Sequence, residues 1–126
     1  MANRSDKMVD KKILKKKLKI VIFGGAGFIG SHVAEVLFNL GHDVTIADLK
    51  KSPFVKNKIK FKKIDIKKEK NILKLVRHKD VVYNFAAIAD IQESYNNPNK
   101  TFQINIMGSA YILKSCVLGK VKRYIL

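Results

Sequence analysis

Four glycines stand within seven residues at positions 24–30, in the order G-G-A-G-F-I-G, between an apolar run and a helical pattern. Their spacing matches two phosphate-loop templates, G-x-G-x-x-G and G-x-x-G-x-x-G. Glycine allows the backbone to turn sharply and approach a diphosphate, whose charge is stabilised by the N–H groups and dipole of the following helix. We predict a diphosphate-binding loop, and the alternative is a tight turn that needs glycine only for steric reasons. The predicted contact residues are Gly24, Gly27, Phe28, Ile29 and Gly30.

Asp48 stands where a dinucleotide requires a hydrogen-bond acceptor. It ends the second apolar run, 18 residues after Gly30, and can accept hydrogen bonds from the hydroxyls of an adenosine ribose. Its charge would repel a 2′-phosphate, which favours NAD over NADP, although Lys50 and Lys51 lie nearby. The alternative for Asp48 is a turn residue that ends a strand.

Asp65 and Ile66 follow the third apolar run. The carboxylate of Asp65 can accept a hydrogen bond from an adenine amino group, and the next backbone N–H can donate to the ring. Equally, Asp65 can be the N-cap of a helix that begins near Glu69. Both interpretations stay open at the level of the sequence.

The elements that must hold these residues alternate between strand and helix. Strand patterns, apolar or of period two, cover residues 18–23, 43–48, 59–64, 80–85 and 121–126. Helical patterns cover residues 28–40, 69–78 and 99–118, and residues 86–98 are predicted to form a loop. This alternation predicts an α/β fold: a three-layer, Rossmann-like parallel sheet of about five strands with right-handed crossovers.

Length and charge limit the class of protein. The chain has 126 residues, enough for one domain, and a net charge of +16. Positions 20–49 hold no Lys or Arg, whereas positions 50–79 hold 13 of the 26 basic residues. Because 23 of the 26 are lysine, the charge indicates solvated faces rather than nucleic-acid recognition, which favours arginine.

Other features of the composition concern the cellular compartment. No apolar run approaches the roughly 20 residues of a membrane span, and no apolar signal core follows the start of the chain. Cys116 is the only cysteine, which indicates a core thiol, no metal site and a reducing compartment. We expect a cytoplasmic protein without membrane association, divided into a basic tail at residues 1–18 and an NAD-binding segment at residues 19–126.

From position 19 to position 126 the sequence resembles the extended short-chain dehydrogenase/reductase family, in particular its NAD-dependent nucleotide-sugar epimerases and dehydratases. The glycine loop, Asp48 and Asp65-Ile66 stand where this family contacts its cofactor. The run N-F-A-A-I-A-D at positions 84–90 resembles its strand-four motif, in which small residues let the cofactor lie along the strand end. The run N-I-M-G-S at positions 105–109 resembles its N-x-x-G-[ST] helix motif. The resemblance implies further cofactor-binding residues at Phe85, Ala86, Ala87, Ala89 and Asn105.

The catalytic Tyr-x-x-x-Lys pair of that family is absent from this sequence, because none of its four tyrosines is followed by lysine at that spacing. In the family the Tyr exchanges a proton with the sugar, and the Lys lowers the pKa of the Tyr. We therefore predict no catalytic residue here. The sequence is interpreted as the N-terminal portion of a longer enzyme, truncated before the catalytic helix and substrate lobe, with a nucleotide sugar as partner only if that part is present.

Two other functions stay open at this level. One is a non-catalytic module that senses a dinucleotide. The other is a lysine-rich protein that binds polyanions through the tail and positions 50–79. The helix at 99–118 carries Tyr111, Leu113, Val117 and Leu118, which form either a homodimer face of the kind that the family uses or the stripe that faces the sheet.

Overall fold

A computed structural model describes residues 16–55 and 58–126, and in these ranges the chain forms one parallel sheet flanked by helices. The strands are β1 (Lys19–Phe23), β2 (Asp43–Asp48), β3 (Lys60–Lys63), β4 (Val81–Asn84) and β5 (Arg123–Ile125). The helices are α1 (Phe28–Asn39), α2 (Glu69–Val76), α3 (Ile91–Asn96), α4 (Pro98–Phe102) and α5 (Ser109–Leu118), with a π-helical segment, Gln103–Gly108, between the last two. Most of the predicted basic tail, residues 1–15, lies outside the described residues.

The strand order is β3-β2-β1-β4-β5, and every neighbouring pair is parallel. β1 is central, and its Val21 lies opposite Thr45 of β2 and Val82 of β4. The chain runs outward from β1 to β3 and then crosses back to β4, so the strand order reverses between β1 and β4. The predicted α/β class with a Rossmann-like parallel sheet is confirmed.

Alternating side chains of the central strands form two cores, one on each face of the sheet. Val21 packs with Ile72 of α2 and Ile112 of α5. On the opposite face, Ile22 packs with Ala34 of α1. All five side chains are fully buried. Because helices cover both faces, the central strand β1 is apolar from Ile20 to Phe23, as the sequence pattern predicted.

The segment at residues 86–98, predicted as a loop, contains helix α3. Asp90 caps this helix: its Oδ1 accepts a hydrogen bond from the Glu93 N–H at 2.6 Å, and its backbone O accepts one from Ser94 Oγ at 2.8 Å. The loop prediction is wrong here because a D-x-x-E capping pattern starts a helix that the polar composition of the segment obscures.

The single helix predicted at residues 99–118 is divided into three parts. Pro98 stands in the first turn of α4, where its missing N–H removes no helical hydrogen bond. The π-helical segment follows and ends at Gly108, and α5 continues to Leu118. The periodicity of the sequence therefore predicted the helix but not the change in its winding.

The edge strand β3 is marked by exposed lysines. Lys60, Lys62 and Lys63 face solvent, and Lys60 Nζ pairs with Asp43 Oδ1 of β2 at 2.7 Å. The hydrogen bond from Lys60 lowers the pKa of Asp43. Charged edges discourage pairing with strands of other molecules. Of the helices in the described part of the chain, none is both long and apolar enough to cross a membrane.

Candidate functional site

The loop after β1 touches the end of β4. Gly24 has a positive φ of 70°, and its N–H donates to the Ala47 carbonyl at 3.0 Å. A Cβ at Gly24 would lie 2.6 Å from both the Ala86 N and the Phe85 carbonyl carbon. Only glycine tolerates both this conformation and this approach, so the glycine brings the loop backbone against the residues that follow β4.

The same loop packs against the first turn of α1. A Cβ at Gly30 would collide with the Gly24 carbonyl oxygen and lie 2.7 Å from the Gly25 Cα. Gly27 occupies the N-cap position with an extended backbone, and the first turn of α1 carries no acidic residue. The N–H groups and the positive dipole end of α1 are therefore left for an anion at this point.

Asp48 ends β2 and holds the glycine loop directly. Its Oδ2 accepts a hydrogen bond from the Ala26 N–H at 3.0 Å, and its Oδ1 accepts one from the Leu49 N–H at 2.7 Å. These bonds fix the carboxylate beside the loop. Because each carboxylate oxygen has a second lone-pair site, Asp48 can still accept hydrogen bonds from two ligand hydroxyls.

A cleft of about 340 Å³ opens at the carboxyl ends of the strands, next to the point where the strand order reverses. Open α/β sheets bind ligands at this position, and the volume is that of a small-molecule site. Eight of the thirteen predicted contact residues line the cleft. They are Gly24, Gly27, Asp48, Asp65, Ile66, Phe85, Ala86 and Ala87.

Four of the other predicted contact residues surround the cleft without lining it. Phe28 and Ile29 are 80% and 63% exposed at the start of α1. Gly30 is buried behind the loop, and Ala89 lies on the connection between β4 and α3. The structure therefore brings most, but not all, of the predicted contacts into one concave surface.

Asn105, the remaining one, braces the connection after β4 from the π-helical segment. Its Oδ1 accepts a hydrogen bond from the Ile88 N–H at 2.8 Å, and its Nδ2 donates to the Ile88 carbonyl at 2.9 Å. Gly108, three residues later, lets the helix pack against Ile66, because a Cβ there would lie 2.5 Å from Ile66 Cδ1. Both residues of the N-x-x-G motif thus contact cleft residues rather than lining the cleft.

Asp65 forms a local turn after β3. Its Oδ1 accepts a hydrogen bond from the Lys67 N–H at 3.0 Å, and Lys67 Nζ lies 4.0 Å from its Oδ2. Helix α2 begins later, with Lys68 in the N-cap position. The N-cap alternative for Asp65 is therefore wrong, and Asp65 is one of the residues that line the cleft.

Asn84, a buried residue that begins the N-F-A-A-I-A-D run but was not a predicted contact residue, connects three elements. Asn84 Nδ2 donates to Ser109 Oγ of α5 and to Tyr124 Oη of β5 at 3.1 Å each, and its Oδ1 accepts from the Ala86 N–H at 3.1 Å. Burial raises the pKa of Tyr124, which keeps its hydroxyl neutral. The signal that could have identified Asn84 is a polar residue at the end of an apolar strand.

Further cleft residues were also missing from the predicted set. Lys100 and Ile104 lie four residues apart, a spacing that puts both on one face of a helix. Because the N-x-x-G motif at positions 105–108 directly follows them, this spacing could have identified both as cleft residues. The additional lining residues are Ala47, Leu49, Ile64, Lys67, Ile88, Lys100 and Ile104.

A parallel sheet of this strand order, a glycine loop between β1 and α1, and an acidic residue at the end of β2 define the Rossmann class of α/β proteins. A family model described as the NAD dependent epimerase/dehydratase family matches residues 20–126. The chain belongs to this family, and the resemblance inferred from its motifs is confirmed.

Individual relatives show the same relationship. A UDP-N-acetyl-alpha-D-glucosaminuronate decarboxylase of Bacillus cytotoxicus is 35% identical over an alignment of 116 residues, which covers 84% of this chain and 35% of that protein. An epimerase structure from Methanothermobacter thermautotrophicus superposes with a TM-score of 0.82 at 28% identity, covering 93% of this chain and 37% of that one. A Thermus thermophilus UDP-glucose 4-epimerase complex with NAD gives a TM-score of 0.76 at 28% identity, covering 83% and 35%. The chain thus spans about a third of the length of these relatives.

Proposed function

We propose that these residues form the NAD-binding part of an enzyme that epimerises or dehydrates a nucleotide sugar, similar to UDP-glucose 4-epimerase. The observation that carries the proposal is the position of Asp48, which lines the cleft and holds the glycine loop through the Ala26 N–H. One carboxylate thus stands beside the N-terminus of α1, as the ribose and diphosphate of one dinucleotide require. Asp65 and Ile66 line the same cleft and supply an acceptor and a donor for the adenine.

The part of the cleft proposed to contact NAD carries little or no side chain. Gly24 leaves no room for a Cβ, so the loop presents backbone rather than side chain. Ala86 and Ala87 keep the end of β4 free of bulk. Bound NAD supplies hydride exchange with the sugar, while this chain binds and orients it.

The preference for NAD over NADP rests on charge. A 2′-phosphate would lie beside the ribose hydroxyls that Asp48 is proposed to bind, and two negative groups in contact repel each other. Lys50 and Lys51 follow closely in the chain and would reduce that repulsion. We therefore expect discrimination in favour of NAD rather than complete exclusion of NADP.

Catalysis is proposed to need residues beyond these 126, because no Tyr-x-x-x-Lys pair occurs among them. The proposed role of residues 19–126 is cofactor binding, with residues 1–18 as a basic tail. Binding of a nucleotide sugar, and the choice between epimerisation and dehydration, belong to the whole protein. A cytoplasmic location is part of the proposal and is supported by the free, buried thiol of Cys116.

Titration calorimetry with NAD and NADP tests the proposal on the purified chain. We expect NAD to bind more tightly than NADP, and Asp48→Asn to weaken NAD binding about tenfold while reducing the discrimination, because a charged acceptor is lost. Asp43→Asn is the matched control, since Asp43 begins the same strand far from the cleft. A folded chain that releases no heat with millimolar NAD would contradict the proposal.

A homodimer is the second part of the proposal and concerns the helix at 99–118. Tyr111 packs against the core, whereas Leu113, Val117 and Leu118 are 47%, 71% and 58% exposed. Tyr111 thus belongs to the stripe that faces the sheet, and the three exposed residues are proposed as the homodimer face. We expect Val117→Glu to convert a dimer to a monomer in analytical ultracentrifugation, whereas Val36→Glu, at an exposed apolar position of α1, leaves it unchanged.

A further inference from the structure

Lys100 brings a positive charge to the cleft from helix α4. Its side chain lines the cleft and is 53% exposed, and its Nζ pairs with Glu93 Oε1 at 2.8 Å. The ionisable residues of the cleft lining are two carboxylates, Asp48 and Asp65, and two lysines, Lys67 and Lys100. Lys100 reaches the cleft from a different element than the glycine loop, so an anion in the cleft can be approached from two sides.

The two lysines of the cleft differ in the position of the carboxylate with which each forms an ion pair. Lys67 Nζ lies 4.0 Å from Asp65 Oδ2, and both residues line the cleft. Their opposite charges therefore cancel within the cleft. Glu93 is not among the described residues that line the cleft, so the charge of Lys100 is neutralised by a carboxylate outside the cleft. Exposed ion pairs are weak, and the long lysine side chain can leave Glu93 for a stronger anion at small cost.

We propose that Lys100 is a ligand-binding residue that exchanges its ion pair with Glu93 for a phosphate oxygen of the bound dinucleotide. The inference rests on the proposed function, because it takes the ligand to be a dinucleotide. The diphosphate is the negatively charged part of NAD, and the N-terminus of α1 can stabilise its charge from one side. Lys100 supplies the counter-charge from helix α4, and Glu93 competes with the phosphate for it.

The experiment compares three ligands with four chains. NAD and ADP carry phosphates and adenosine does not, so their affinities separate phosphate contacts from contacts to the nucleoside. The variants are Lys100→Met, which removes the charge, and Glu93→Gln, which removes the competitor. Lys114→Met is the control, because Lys114 forms a similar exposed ion pair with Glu69 at 2.8 Å outside the cleft.

We expect Lys100→Met to weaken NAD and ADP about five- to tenfold and to leave adenosine unchanged, as removal of one charged hydrogen bond predicts. Glu93→Gln should strengthen NAD and ADP about twofold, and Lys114→Met should change nothing. Added salt should weaken NAD binding less in Lys100→Met than in the parent chain.

Two results overturn the inference in distinguishable ways. If the parent chain binds NAD but Lys100→Met weakens all three ligands equally, or none, Lys100 does not contact phosphate and the proposed NAD site stands. If the parent chain binds none of the three at millimolar concentration, the proposed function fails and this inference fails with it.

Discussion

Asn105 and Ile88 exchange two hydrogen bonds, one in each direction, between the π-helical segment and the connection that follows β4. A single side-chain amide thereby satisfies both backbone groups of a residue that lines the cleft. The bonds are 2.8 and 2.9 Å long, so the geometry is close to ideal. The cleft wall at Ile88 is therefore held by a helix side chain rather than by the sheet.

Replacement of Asn105 by Ala should destabilise the chain by about 1–3 kcal/mol, because it leaves the Ile88 N–H and carbonyl without these partners. NAD affinity should fall as well, since the wall becomes less ordered. Urea unfolding checks the first effect and calorimetry the second. Asn71→Ala, at an exposed position of α2, is the control and should not destabilise; an equal loss in both variants would contradict the role of Asn105.

Gly24→Ala tests the contact between the loop and the end of β4. Gly24 and Gly41 both have positive φ, of 70° and 90°, but no heavy atom of the described residues lies within 4 Å of a Cβ at Gly41. Gly41→Ala should therefore cost only about 1 kcal/mol for the backbone conformation. Gly24→Ala should cost clearly more, above about 2 kcal/mol, because the collision with Ala86 is added. Equal unfolding free energies for the two variants would show that the loop does not touch β4.

Gly108 and Ile66 form a pair that a double-mutant cycle can test. A Cβ at Gly108 would lie 2.5 Å from Ile66 Cδ1 and 2.8 Å from its Cγ1, but 3.5 Å from its Cβ. Gly108→Ala should cost about 1–3 kcal/mol in the parent chain, through overpacking. In the Ile66→Ala background the same change should cost nothing or stabilise, because both close atoms are gone and alanine favours the helix. Additive effects of the two substitutions would contradict the contact.

The thiol of Cys116 predicts a pH dependence. Burial raises its pKa from 9.0 to about 11. Because the unfolded thiol ionises first, stability from this group is complete below pH 9.0 and is lost as the pH rises toward about 11. Urea unfolding across this range should show a steeper decline in the free energy of unfolding for the parent chain than for Cys116→Ala. The two chains have the same lysines, so ionisation of lysine affects both alike. Parallel declines would contradict the prediction.

Much of the fold could be predicted because local patterns and tertiary structure agree. The runs at β1 and β2 are apolar and β-branched, and glycines mark the turn that follows β1 and the end of α1. The residues of the glycine loop, together with Asp48 and Asp65, come to one cleft because parallel strands place their carboxyl ends at one edge. This part of the site can be predicted from which residues follow each strand in the sequence.

The remaining features depend on contacts between distant residues. The change of winding at Gln103–Gly108 coincides with the close approach of Gly108 to Ile66 and the bonds of Asn105 to Ile88, and neither contact can be derived from a helical period. Lys100 reaches the cleft from α4, which directly precedes this segment. Helix α3 differs, since its Asp90 cap was a local signal that the polar composition concealed.

The central claim is that the cleft at the ends of β1, β2 and β4 binds NAD, and amide NMR spectra of the isotope-labelled chain test it most directly. On addition of NAD, we expect the largest shifts at the amides of Gly24, Gly27, Asp48 and Ile66, which line the cleft, and small shifts at the exposed lysines of β3. Spectra that do not change at millimolar NAD, or changes confined to the lysines of β3, would contradict the claim.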